Sequence, residues 1–342
     1  MASKRTPAMS DGIKTFDELP RPAPGSGVDP GVARRTERSA PLVGVIRNSR
    51  SYRNKGREQG VAPGVDVIVE TTTKRRELVG VLDGFAAKGI DYLAISGGDG
   101  TVRDVLTCGA EIFGTDWPTL IVLPKGKTNA LAADLGAPEN WSLAAAMESA
   151  RAGHFVTRRP LVVSVAADPQ ARVYGFLFGG GVFHRTIKLG QGAHRWGAFN
   201  AAAVGLTTAW ALGQALLAGS ENPWRQRSLM RITLPGTEQL SGGDERYVMI
   251  ASTLENLPLG VKPFGNLREG LKAIVLDTPA RRSLMHLPMV ALGRRKDGRG
   301  YHCFAAESFG LDITEPFILD GEAFPPGNYR ISTGPSLTFV AS

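Results

Sequence analysis

An α/β domain with an open, mostly parallel sheet, followed by an antiparallel β-sandwich domain, is the architecture this sequence predicts. Three observations lead to it. From Pro41 to about Ala152, short β-branched runs alternate with helical stretches, so strand, loop and helix repeat. After Gly153 the texture changes to closely spaced apolar runs separated by turn residues, the pattern of antiparallel strands. The length, 342 residues, suits two domains at roughly 150 residues each.

The elements follow in order. Residues 1–40 are polar, rich in Pro and Gly, and without an apolar core segment, so they read as a disordered tail with no secretory signal. In the first domain (41–155), Leu42–Ile46 and Asp66–Glu70 read as strands. Lys74–Lys88 is amphipathic, with Leu78, Val81, Leu82 and Phe85 at helical spacing. Tyr92–Ile95 and Leu120–Leu123 are further strands, each ending in a glycine-containing loop before a helix-prone segment. In the second domain (156–342), eight runs read as strands: Leu161–Ala166, Val173–Phe178, Met230–Leu234, Tyr247–Ser252, Leu271–Leu276, Tyr301–Ala306, Phe317–Leu319 and Tyr329–Ser332. Helices near 195–219 and 281–292 interrupt them, and the last segment is free to return to the first domain.

Composition bounds the function. Apolar residues at 42% and charged residues at 21% exclude a disordered or fibrous chain. Cys108 and Cys303 are too few for a disulfide framework and fit a reducing cytoplasm. Lys and Arg outnumber Asp and Glu by 40 to 32, a net charge of +8 that favours anionic partners. The basic residues lack the aromatic interleaving of a base-stacking surface, which argues against nucleic acid. Trp196–Ser220 is uncharged and approaches a membrane span in length. Its Asn200, Thr207, Thr208, Gln214 and glycines make it a buried or interfacial helix instead.

Chemistry concentrates in loops at the carboxyl ends of the predicted strands, where an open α/β sheet binds ligands. Ser96-Gly97-Gly98-Asp99-Gly100-Thr101 follows one strand and opens a helix. Its glycines let the backbone turn and approach a bulky ligand, exposing N–H groups to an anion. Asp99 would repel phosphate by itself, so it suits a ribose, metal or network role. The same residues also suit a plain glycine-rich turn. Pro124-Lys125-Gly126-Lys127-Thr128-Asn129 follows the next strand. It ends like a P-loop, yet Ile121 stands where the leading glycine belongs, which disfavours Walker-A chemistry. The loop Asn48-Ser49-Arg50-Ser51-Tyr52-Arg53-Asn54-Lys55-Gly56 adds cations after the first strand. One nucleotide lying across the two glycine loops suits both, and the 48–56 run suits either added cations for it or a solvated basic loop.

Taken together, these residues resemble the diacylglycerol kinase catalytic-domain family of lipid kinases, which includes sphingosine and ceramide kinases. The family's Asn-Pro-x-Ser-Gly loop is matched by Asn48, Ser51, Lys55 and Gly56, with Ser49 and Tyr52 departing. Gly-Gly-Asp-Gly-Thr is intact at 97–101, followed by Val102 and Asp104-Val105. Pro124, Gly126, Thr128 and Asn129 match a Pro-x-Gly-Thr-x-Asn loop, and the helix continues from Leu131-Ala132 to Leu135-Gly136. Thr72 stands where the family has a nucleotide-contacting threonine, and Leu319-Asp320-Gly321-Glu322 resembles its Asp-Gly-Glu signature. The likeness covers roughly residues 41–342.

The resemblance implies a kinase that uses ATP and Mg²⁺, with its active site in the cleft between the two domains. It implies ATP contacts from Asn48, Ser51, Lys55, Thr72, Gly97, Gly98, Asp99, Gly100, Thr101, Gly126, Lys127, Thr128 and Asn129. Asp320 would be the base, with Glu322 and Asp99 beside it. The partners implied are a membrane lipid (diacylglycerol, ceramide or a sphingoid base) and an anionic membrane surface met peripherally from the cytoplasm. Arg281–Arg299, basic at both ends and apolar between, suits that surface. Several positions depart from the pattern. Lys127 replaces a threonine and Ala130 an aspartate, Arg268-Glu269-Gly270 replaces Asp-Asp-Gly, and His184 sits near the position where sphingosine-type members carry an acceptor-contacting aspartate, so metal ligands and acceptor stay open. An NAD kinase-like enzyme shares Gly-Gly-Asp-Gly but normally carries an Asn-Glu dipeptide, which this sequence lacks. A non-catalytic binding protein that kept the fold is the other alternative. Without the resemblance, Asp320-Gly321 is simply a strong hairpin-turn dipeptide.

Overall fold

The computed structural model describes residues 38–51, 63–183, 226–236, 239–267, 269–278, 289–290, 292–294 and 300–342. Residues 1–37 of the predicted tail, Lys55, His184, Arg268, the Trp196–Ser220 helix and most of Arg281–Arg299 lie outside them.

The first sheet is built from strands that the apolar runs announce. β1 (Leu42–Asn48), β2 (Asp66–Thr72), β3 (Tyr92–Gly97) and β4 (Thr119–Pro124) pair in parallel in the order β2-β1-β3-β4. Helix α1 (Glu77–Lys88) follows β2, and α2 (Asp99–Phe113) follows β3. α3 (Ala130–Asp134) and α4 (Leu143–Arg151) follow β4. The predicted helix from Lys74 begins at Glu77. There the Glu77 carboxylate folds back to accept the Thr73 and Lys74 N–H groups at 2.8 and 3.1 Å, capping the first turn. Gly89 ends the helix with φ +58°. Ile46, Leu93 and Ile95 face α1 and α2, whereas Val43, Val45 and Ala94 face α4. With both faces covered, the central strands are apolar throughout.

Two strands that the apolar runs do not announce complete this sheet. β18 (Leu337–Val340) joins β4 in parallel, and β5 (Phe155–Arg158) joins β18 antiparallel. The sheet is therefore mixed, and the end of the chain belongs to it.

The remaining strands form two antiparallel sheets that share a core. One has the order β10-β9-β14-β17-β6-β7, from Glu245–Arg246, Ser228–Thr233, Ser308–Ile313, Gly327–Thr333, Leu161–Val165 and Asp168–Gly175. The other has the order β13-β12-β11-β8-β15-β16, from Tyr301–Ala306, Leu271–Leu276, Val248–Ser252, Leu177–Gly181, Phe317–Leu319 and Glu322–Phe324. Val163, Val173, Ile232, Leu311 and Ile331 of the first meet Phe178, Ala251, Val275, Phe317 and Phe324 of the second. Phe317 anchors this core, stacked on Phe178 (5.0 Å) and Phe324 (5.5 Å) and edge-on to Tyr329 (5.1 Å).

One predicted strand is in fact two. Val173–Phe178 breaks at Phe176, where the chain leaves the first sandwich sheet as β7 and enters the second as β8. The Phe176 N–H leaves the ladder and donates to Asp320 instead. A run of apolar residues cannot show such a crossover, because both halves are buried.

Candidate active site

The glycine loop at the end of β3 and the loop at the end of β4 are pressed together. Lys125 N–H donates to Gly97 O at 2.8 Å, continuing the pairing of Gly97 with Pro124. A Cβ on Gly98 would lie 2.8 Å from Gly126 Cα, and one on Gly126 would lie 2.5 Å from Gly98 Cα. A Cβ on Gly97 would lie 2.5 Å from Thr101 Oγ1. These glycines are required by close approach between loops, since none of the three takes a positive φ.

Side chains then fix the loops. Asn48 Nδ2 donates to Thr101 Oγ1 at 2.8 Å, and its Oδ1 accepts Arg50 N–H at 2.9 Å. Ser49 N–H donates to Thr72 O, and Ser51 N–H to Asn48 O. Asn129, at φ +50°, folds back onto Gly126, accepting its N–H at 2.8 Å and donating to its carbonyl at 3.1 Å. Lys127 and Thr128 between them are exposed. Asp99 Oδ1 accepts Leu131 N–H at 3.3 Å, so its carboxylate reaches the start of α3. Of the roles open to Asp99 on sequence grounds, the network role is the one this bond displays. Burial raises its pKa, while the N–H groups of Ala130, Leu131 and Asn129 pull the other way.

The far end of the chain completes the site. Asp320 (φ +48°) and Gly321 (φ +80°) form the two-residue turn between β15 and β16, in which both positions need a left-handed backbone. The turn chemistry and the carboxylate predicted to be the base therefore fall on one residue. Asp320 Oδ1 accepts the N–H groups of Phe176 (3.1 Å) and Leu177 (2.9 Å). A Cβ on Gly175 would sit 2.7 Å from Asp320 Oδ2, so only glycine leaves room for the carboxylate there. Burial, reinforced by the Asp99 charge, pushes Asp320 up to about 7, against the pull of Arg103 and the Leu177 and Phe176 N–H groups. The hairpin lies on the first turn of α2, since a Cβ on Gly100 would be 3.6 Å from Glu322 Oε1.

Residues outside the sequence motifs hold this junction. Arg103 pairs with Asp104 (2.8 Å) and Glu322 (2.5 Å), and Arg75 pairs with Asp104 (2.5 Å) and Glu322 (3.3 Å). Charges spaced this far apart in sequence leave no motif. The one available signal was Arg103-Asp104 directly after Gly-Gly-Asp-Gly-Thr-Val. Asp134 adds a further tie, accepting Arg158 Nε at 2.6 Å and Asn256 N–H at 2.5 Å. Cys108 is buried, and that burial pushes its thiol up to about 12, so it is no nucleophile.

The carboxylates do not fit a resident metal. Glu322 is engaged by two guanidinium groups, Asp320 by two N–H groups and Asp99 by the start of α3. Among the described residues no three metal-ligating side chains converge.

Residues 45–159, which carry the first three loops, match the family model of the diacylglycerol kinase catalytic domain. That match covers about a third of the chain and is a likeness of this region to that domain. The chain is 31% identical over 93 residues to the Escherichia coli O127:H6 protein named "Probable lipid kinase YegS". That stretch is 27% of this chain and 30% of the relative, so the chain spans under a third of the length of the curated relative it matches. The fold extends further than the sequence likeness. A crystal structure of a diacylglycerol kinase from Bacillus anthracis str. Sterne superposes with a TM-score of 0.58 at 16% identity, covering 90% of this chain and 99% of that one. Another chain from the same strain, given the same name provisionally, reaches a TM-score of 0.64 at 15% identity over the same shares.

Proposed function

We propose that this protein is a lipid kinase that transfers the γ-phosphoryl group of ATP to a hydroxyl of a membrane lipid. ATP lies across the loops at 48–51, 97–101 and 126–129, and the lipid is held by residues of the sandwich domain, in a cleft between the two. The observation that carries this reading is the Asp320 hairpin. It sets a carboxylate of pKa about 7 beside the glycine loop of a kinase-family domain.

Phosphoryl transfer asks chiefly for alignment and charge stabilisation. The positive end of the α2 dipole, at the glycine loop, favours phosphate oxygens there. Asp320 accepts the acceptor hydroxyl's proton once that oxygen is within about 2.6–3.2 Å. No protein-held metal enters these steps. Mg²⁺ belongs to the nucleotide, which it accompanies as a phosphate-bound ion.

Membrane contact is part of the same proposal. Among the described residues no helix is long and apolar enough to cross a membrane. Met289 and Leu292 are exposed apolar residues just ahead of Arg294, a pattern that suits peripheral docking on anionic lipid. Incubating the purified protein with labelled ATP, Mg²⁺ and vesicles carrying diacylglycerol, ceramide or a sphingoid base is expected to give one phosphorylated lipid. Label transfer to NAD instead, or to nothing, would remove the reading.

The pKa of Asp320 gives a second expectation, with opposite signs for rate and stability. Turnover should rise with pH through about 7 as the base loses its proton. The folded pKa lies above the value of about 3.9 for an unfolded aspartate, so the native state binds the extra proton. That contribution to stability is complete below about pH 4 and disappears as pH rises through about 7. Urea unfolding at several pH values should show the decline in wild type and a smaller one in Asp320→Asn.

A further inference from the structure

We propose that Arg103 is a positioning residue that locks the Asp320 hairpin in one register against the helix opening from the glycine loop. Its side chain is fully buried, and a buried guanidinium is costly unless its N–H groups find partners. Those partners come from both domains. Nε and Nη2 donate to Asp104 Oδ1 on its own helix, at 3.1 and 2.8 Å. Across the junction, Nη1 donates to Leu319 O at 3.3 Å and Nη2 pairs with Glu322 Oε2 at 2.5 Å. Its guanidinium carbon also stands 5.7 Å over the Phe324 ring.

The placement of those contacts matters more than their number. Leu319 and Glu322 are the paired residues that close the Asp320-Gly321 turn. Arg103 therefore holds both strands of the hairpin, one residue before the carboxylate and two residues after it. Of the hairpin, Arg75 reaches Glu322 alone, from its pair with Asp104, and is partly exposed, so it reinforces one side only. The rest of the hairpin has β8 as its ladder neighbour, an element of the second domain. Arg103 thus ties the position of Asp320 to the glycine loop rather than to its own sheet. Lysine cannot replace it, because a compact ammonium cannot meet Asp104, Leu319 O and Glu322 together.

The test compares wild type, Arg103→Lys and Glu322→Gln, which removes the charge from the same contact at its more exposed partner. Steady-state kinetics and amide exchange at Phe176, Leu177 and Asp320 are measured on each. The rate readout rests on the kinase reading; the exchange readout does not. Both variants should lose kcat, Arg103→Lys by about 100-fold, as a displacement near 1 Å would cause. KM for ATP should stay unchanged, because the nucleotide loops keep their own bonds. The three amides should exchange roughly tenfold faster or more, the expected result of losing a hydrogen bond to a charged group. Unchanged protection of the hairpin in a folded variant overturns the proposal, as does a loss expressed in KM for ATP with kcat preserved. Should Arg103→Lys not fold, the kinetics and exchange of Glu322→Gln decide between the same two outcomes. If wild type phosphorylates no lipid, the kinase reading fails, and hairpin exchange still decides the role of Arg103.

Discussion

Asp320→Asn is expected to fold, to bind ATP as wild type does, and to lose roughly 10²–10⁴-fold in turnover, the range for a removed general base. Folding should survive for local reasons. The turn places residue 320 at φ +48°, and asparagine tolerates a left-handed backbone at least as well as aspartate. The amide oxygen can keep both bonds from Phe176 and Leu177, since each is already made to Oδ1. Removing a charge that burial disfavours should even stabilise the protein above pH 7. What the amide cannot do is accept a proton. Binding of ATP by calorimetry and turnover of the lipid identified in the vesicle assay separate the two effects. Turnover close to wild type would remove Asp320 as the base while leaving the nucleotide loops intact.

Gly126→Ala should damage the nucleotide site through sterics alone. The added Cβ would meet Gly98 Cα at 2.5 Å and Asn129 Oδ1 at 2.8 Å. Neither neighbour can retreat. Gly98 is held by the bond between Lys125 N–H and Gly97 O, and Asn129 by its two bonds to Gly126 itself. The loops must separate, at a cost of about 1–3 kcal/mol for overpacking. ATP affinity should fall more than tenfold, since that free-energy loss falls on the binding loops, with 1.4 kcal/mol corresponding to a factor of ten. Gly84→Ala provides the contrast. A Cβ there meets nothing within 4 Å on helix α1, so alanine should stabilise by up to about 1 kcal/mol. Urea unfolding and ATP calorimetry on both variants test the pair. A Gly126→Ala protein with unchanged stability and affinity would show that the loops do not need their close contact.

The centre of the α/β sheet was legible because β1, β3 and β4 are buried on both faces and so appear as uninterrupted apolar runs. Leu271–Leu276 of the sandwich was legible for the same reason, with all six residues buried. β16 and β18 were not, because three or four residues give too little pattern. β14 alternates apolar Phe309, Leu311 and Ile313 with Ser308, Gly310 and Asp312, and was overlooked because it holds no uninterrupted apolar run. The break at Phe176 stayed hidden for the opposite reason, since burial continues across it.

The loops follow the same division. Glycine and Asp-Gly chemistry depends on backbone conformation and steric room, which neighbouring residues dictate, so positions 97–101, 126–129 and 320–321 stood out in the sequence. What brings the 320–321 turn to the glycine loop, and what holds it there, depended on contacts between residues more than 200 positions apart. Arg103 looks like an ordinary helix cation until Asp104, Leu319 and Glu322 surround it. Asp99 suits a ribose, metal or network role alike until Leu131 N–H is seen to donate to it. The sequence by itself determined where the backbone turns and which strands are buried, because those are properties of local sterics and hydrophobic pattern. Only the tertiary structure decided which charges pair and where Asp320 stands, because burial and long-range ion pairs exist only once the chain has closed on itself.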